Sequence, residues 1–131
     1  MKHSNESHLF TDNENRRSAA ELILNLFSHW GLSTAEKAEL LGYSPGSRTF
    51  LASLKENGIP DKRDKIDRVS YLLGIHKGLR INYPYNKEIV YGWVKSPNTK
   101  LGDQSPLTHM MLHGIPGMSR VRSIVDQERG R

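Results

Sequence analysis

The chain has 131 residues, 36% of them hydrophobic and 25% charged, which suits one domain or two small helical units sharing a core. The absence of cysteine excludes disulfides and thiolate metal sites, and with no apolar run of about 18 residues no membrane span is expected. The net charge of +5 is uneven: residues 1–61 hold six Lys/Arg against eight Asp/Glu, a net of −2, whereas residues 62–131 hold thirteen against six, a net of +7, so an electrostatic partner should face the second half.

Met1–Arg17 is polar and unpatterned, with no signal-peptide-like apolar stretch. It reads as a flexible arm (1–17), and the whole fits a cytoplasmic protein. Ser18-Ala-Ala-Glu21 has the form of a capping box, and behind it Ala19, Leu22, Ile23, Leu26, Phe27 and Trp30 fall on one helical face up to Gly31. Ser33-Thr-Ala-Glu36 opens a second, short helix that Gly42 stops. Ser44-Pro45 then offers a cap and a first-turn proline for a third helix, Pro45–Glu56, with Phe50, Leu51 and Leu54 inward.

Asp61 is placed to cap a long helix to Asn82, with the stripe Ile66, Val69, Leu72, Leu73, His76 and Leu79. Gly74 and Gly78 inside it each cost roughly 1 kcal/mol relative to alanine, tolerable where another helix packs close. Asn86 can cap Lys87–Lys95, with Ile89, Val90, Trp93 and Val94 inward. Ser96–Gln104 is a loop of turn formers, Ser105-Pro106 starts a short helix to Leu112, and Met118–Glu128 forms the last. No segment alternates at period two, so the fold expected is all-α with about seven helices. Trp30, Leu40, Phe50, Leu72, Leu73 and Trp93 are expected in the core.

Ser33–Leu41, Gly42 and Ser44–Asn57 have the order of a helix-turn-helix unit. In a DNA-binding version Ser44, Ser47, Arg48 and Thr49 would face bases, with Lys55 near phosphate. The unit is electrically neutral, with Lys37, Arg48 and Lys55 against Glu36, Glu39 and Glu56, which makes a weak reader of DNA and favours a structural helical hairpin. The basic residues of the long helix, among them Lys62, Arg63, Lys65, Arg68, Lys77 and Arg80, alternate with aspartates and read mainly as a solvated face. His109 and His113 are four apart without a third ligand, so a surface or interface pair is expected rather than a metal site. No nucleophile elbow, phosphate loop or dinucleotide fingerprint is present, and neither enzyme activity nor a cofactor is expected.

A set of short motifs in fixed order carries a family resemblance. Trp30-Gly-Leu-Ser33, Leu40-Leu-Gly-Tyr-Ser44, Asp67-Arg-Val-Ser-Tyr-Leu-Leu73, Tyr91-Gly-Trp-Val-Lys-Ser-Pro-Asn98, Gly102, Ser105-Pro-Leu107 and Val121-Arg122…Asp126…Arg129-Gly130 resemble the Xre/MbcA/ParS antitoxins. The resemblance runs from about Ser18 to Arg131. It implies an Xre-like helix-turn-helix unit (18–60) and a helical toxin-binding domain (61–131). It further implies a RES-domain toxin acting on NAD⁺ as partner, covered at its active-site cleft by the antitoxin's C-terminal region, with dimerisation and operator DNA as further expectations. Arg122, Asp126, Glu128, Arg129, Gly130 and Arg131 are the candidate toxin contacts, and an ordinary charged helix end is the plain alternative. The rival function is a helix-turn-helix regulator of transcription with no toxin partner.

Overall fold

The computed structural model describes residues 12–129, and every regular element among them is helical. Helix α1 spans Asn13–Trp30. Its cap is Asp12, whose carboxylate accepts from Asn15 N at 2.8 Å, so Ser18 lies inside the helix instead of at its start. Asn13–Arg17, expected within the flexible arm, is therefore helical. Tertiary contact holds it there: Ile59 N donates to Arg16 O at 3.0 Å and Arg17 Nε to Glu56 O at 3.1 Å. Residues 1–11 of that arm lie outside the described residues.

Helix α2 (Thr34–Leu40) has the expected capping box, Ser33 and Glu36 exchanging side-chain and backbone bonds. Helix α3 spans Phe50–Asn57, five residues later than the proline start predicts. Ser44 and Pro45 instead enter a turn, with Ser47 N donating to Ser44 O at 2.9 Å, and Gly46 within it is a poor helix former. Tyr43 anchors this connection by stacking on Phe50, ring centroids 5.1 Å apart, with Lys65 Nζ 4.1 Å above its ring.

Helix α4 (Arg63–Asn82) is the axis of the fold, packing on α1 and most extensively on α7 (Ile115–Arg129). Lys62, not Asp61, stands at its cap position, and without a side-chain cap bond. Its buried residues are Val69, Leu72, Gly74, Ile75, Gly78 and Leu79, while Leu73 and His76 are only half-buried. A single-stripe reading suits a helix with one covered face, and this one is covered on more than one side. The two glycines make the seam with α7. A Cβ on Gly78 would lie 2.6 Å from Val125 Cγ1, and one on Gly74 would lie 2.7 Å from the Cζ of Arg122.

Helix α5 (Lys87–Gly92) is capped by Asn86 and passes into a 3₁₀ turn, Trp93–Lys95. Val90 and Val94 are buried as expected, but Ile89 is exposed and Trp93 only partly covered. A second 3₁₀ turn, Thr99–Leu101, precedes α6 (Pro106–His113), which Ser105 caps through Thr108 N at 3.1 Å. Trp30, Leu40, Phe50 and Leu72 are all 3% exposed or less, and one core cluster contains residues from every α-helix described.

Two basic side chains of α4 complete the end of α2, whose last carbonyls have no helical partner. Lys65 Nζ donates to Leu41 O and Gly42 O at 3.0 and 2.9 Å. Arg68 Nη1 donates to Leu40 O at 3.2 Å, while its Nε binds Asp64 Oδ2 at 3.0 Å. Burial lowers the Lys65 pKa, and the neighbouring Asp64 opposes that effect. These two cations are thus structural clamps, which the sequence pattern alone presents as part of a solvated face.

Candidate functional site

The candidate toxin contacts fall into two groups on α7. Arg122, Asp126 and Arg129 form a row along one face, Asp126 lying 3.6 Å from Arg122 Nε and 3.4 Å from Arg129 Nη2. Helical spacing of four and three residues creates the row. These pairs are part-exposed and contribute little to stability. Their consequence is geometric, since one carboxylate sits between two guanidinium groups on an accessible surface. Glu128 points elsewhere and accepts from Tyr83 Oη at 3.2 Å, while Asn82 Nδ2 donates to Val125 O at 3.0 Å, so the end of α4 grips the end of α7. Gly130 and Arg131 lie outside the described residues.

Arg122 has a recess to lie in because Gly74 lacks a side chain. Its Nε is buried without a hydrogen-bond partner, the Asp126 contact being too long for one. Next to it Tyr71, Ser119, Ser123 and Gln127 line a shallow depression of about 410 Å³. The site therefore offers hydroxyl groups and an amide beside paired charges, the composition of a polar protein-contact surface and not of an enclosed catalytic pocket.

The candidate base-reading residues are grouped by the turn before α3. Ser44, Arg48 and Thr49 are exposed and Ser47 is half-buried; Thr49 stands at the cap position of α3 without a capping bond, and Lys55 is exposed in its last turn. The connection between α2 and α3 covers residues 41–49, longer than the three or four residues usual in a helix-turn-helix. Arg48 thus extends from a turn, not from the first turn of a groove-facing helix.

His109 and His113 lie on α6 with ring centroids 4.5 Å apart. Burial, then His113 and Arg120, lowers the His109 pKa, which favours its neutral form. Among the described residues no three His, Asp or Glu side chains come together as a metal set. Nor is any helix among them long and apolar enough to cross a membrane.

A third feature went unread in the sequence. A groove between α1, α4 and α5 exposes Leu22 and Ile81, and Tyr91 stacks there on His29 and lies tilted against His76. Leu22 falls on the apolar stripe of α1, so periodicity assigns it to the core; only the position of α5 reveals that its side of the helix is left uncovered.

Comparison with known proteins bears on residues 84–131, which match the family model of the antitoxin Xre/MbcA/ParS C-terminal toxin-binding domain. That stretch contains α5, both 3₁₀ turns, α6 and α7, and so the whole Arg122–Asp126–Arg129 row. The chain is also 33% identical over 111 residues to the uncharacterized protein y4oB of Sinorhizobium fredii, an alignment covering 84% of this chain and 83% of the relative.

Proposed function

The chain belongs to the Xre/MbcA/ParS antitoxin family, and we propose that it neutralises a RES-domain toxin acting on NAD⁺ by applying the last helix and the segment after it to the toxin's active-site cleft. Membership makes it the antitoxin of a toxin–antitoxin system, with a toxin as protein partner and a role that rests on binding. The observation that carries the finer reading is the partly exposed Arg122–Asp126–Arg129 row within the matched domain. A pocket built for a dinucleotide needs donors for its phosphates. Asp126 can occupy those donors, and Arg122, Arg129 and Arg131 can pair with acids around the rim.

The experiment is truncation after Val125, co-expressed with a cognate RES-domain toxin. Growth and cellular NAD⁺ are measured, with circular dichroism on the purified truncation. Loss of the Tyr83–Glu128 hydrogen bond costs about 1 kcal/mol, so the fold should persist while protection is lost. A folded truncation that still protects cells fully would refute the role of this segment.

The same reading extends to autoregulation in the cytoplasm by a homodimer on operator DNA. Its support is the exposed Arg48 beside Ser44, Ser47 and Thr49, with Lys55 placed for phosphate. Arginine is the strongest base reader in that group. Arg48→Ala should therefore reduce affinity and sequence preference together in a mobility-shift titration, and unchanged binding would remove this surface from the proposal.

A further inference from the structure

The groove between α1, α4 and α5 has a volume of about 900 Å³. Leu26 and Val90 lie buried in it, and Leu22 and Ile81, 49% and 48% exposed, stand on the helices that border it. Single exposed apolar side chains are ordinary on a protein surface. Here two share one concavity, and Tyr85, 98% exposed, lies in the connection that leads to its third wall. Such a concentration marks an interaction surface.

The charges around the groove are one-sided. Lys77, Arg80 and Lys87 line it, as do His29 and His76, and no Asp or Glu does. Among the described residues none of these three cations lies within ion-pair distance of a carboxylate. His76 Nε2 is buried and has no hydrogen-bond partner. Burial, then Arg80 and His29, lowers the pKa of His76, leaving a neutral ring whose polar atom faces no acceptor or donor. An apolar floor with an unpaired cationic border is complementary to apolar side chains flanked by carboxylates.

We propose that this groove docks an acidic amphipathic helix of the toxin, a second point of attachment apart from the C-terminal row. The inference rests on the antitoxin reading above. A space of this size between helices suits a helix laid in with anchors at three- and four-residue steps. A second copy of this chain is the poorer occupant: a two-fold contact through this surface would set Lys77, Arg80 and Lys87 against their own equivalents, with no lining carboxylate to offset them. The groove also has walls in both halves of the chain. Lys87 and Val90 belong to the matched toxin-binding domain and Leu22 to α1, so a toxin helix seated here would touch the N-terminal half as well.

The test uses the full-length chain and a purified cognate RES-domain toxin, with affinity measured by calorimetry at low and high salt. Leu22→Asp with Ile81→Asp should weaken binding at least tenfold at both salts. Lys77→Glu with Arg80→Glu, on exposed side chains and verified as folded by circular dichroism, should weaken it at least tenfold at low salt and flatten the salt dependence. Wild-type affinity in both double variants, with the Val125 truncation still impaired, would overturn the groove and leave the antitoxin reading standing. No binding by the wild-type chain would overturn the antitoxin reading and the groove with it. A change in sedimentation of the isolated chain on charge reversal would identify a second copy as the occupant and overturn the proposal.

Discussion

Replacing Gly78 with alanine tests the seam between α4 and α7. The added methyl would lie 2.6 Å from Val125 Cγ1, about 1 Å inside normal carbon–carbon contact. Val125 is fully buried, and a valine in a helix is held in one rotamer, so the neighbour has no cheap way to move. Overpacking of this kind costs about 1–3 kcal/mol, and the upper half of that range applies to a locked partner. Alanine returns about 1 kcal/mol of helix propensity. The net expectation is a loss of about 1–2 kcal/mol, or roughly 3–8 °C in Tm for a chain of this size. Gly74→Ala is the internal control. Its methyl meets the end of the Arg122 side chain, which can swing into solvent, so stability should stay level or rise by up to about 1 kcal/mol. Urea denaturation followed by circular dichroism reads both. Equal shifts in the two variants, or a stabilised Gly78→Ala, would refute the seam as described. Because Gly74→Ala displaces Arg122, the same variant also reports on toxin affinity without a loss of fold.

Three more expectations follow from the contacts. Deleting residues 1–17 should lower stability by about 2–3 kcal/mol, since it removes the Asp12 cap and the bonds of Arg16 and Arg17 to α3 and Ile59; an unchanged melting temperature would mean that this turn does not pack. Arg68→Ala should cost about 2 kcal/mol by unclamping Leu40 O, with an unchanged urea midpoint as the contrary result. Stability should also fall as pH drops below about 6.5. His76 has a lowered pKa in the folded chain, so the unfolded chain takes up its proton first, and the stability that the neutral ring provides is present above pH 6.5 and lost on acidification. His76→Phe should flatten that slope in melting curves between pH 7 and 5, and an unaltered slope would assign the effect to other groups.

Local chemistry was legible in the sequence wherever an element depends on its own residues. The Ser33–Glu36 capping box, the Ser105-Pro106 start and the Asn86 cap close within three or four residues of chain. The all-helical class followed from periodicity for the same reason, and the order of motifs carried the family.

What the tertiary structure decided depends on neighbours distant along the chain. Ser18 has the form of a cap, but Asp12 starts the helix because the extra turn can bond to Glu56 and Ile59. Pro45 could begin a helix, yet Tyr43 and Phe50 stack across the connection and hold Ser44–Ser47 as a turn. Trp93 and Leu73 lie on apolar stripes but are only partly covered, because coverage is set by which helix arrives opposite. Lys65 and Arg68 cannot be told from solvated cations until the end of α2 is brought beneath them. The groove lined by Leu22 and Ile81 is likewise a property of three helices at once: a hydrophobic pattern states which side chains avoid water, whereas the packing of the whole chain determines which of them succeed.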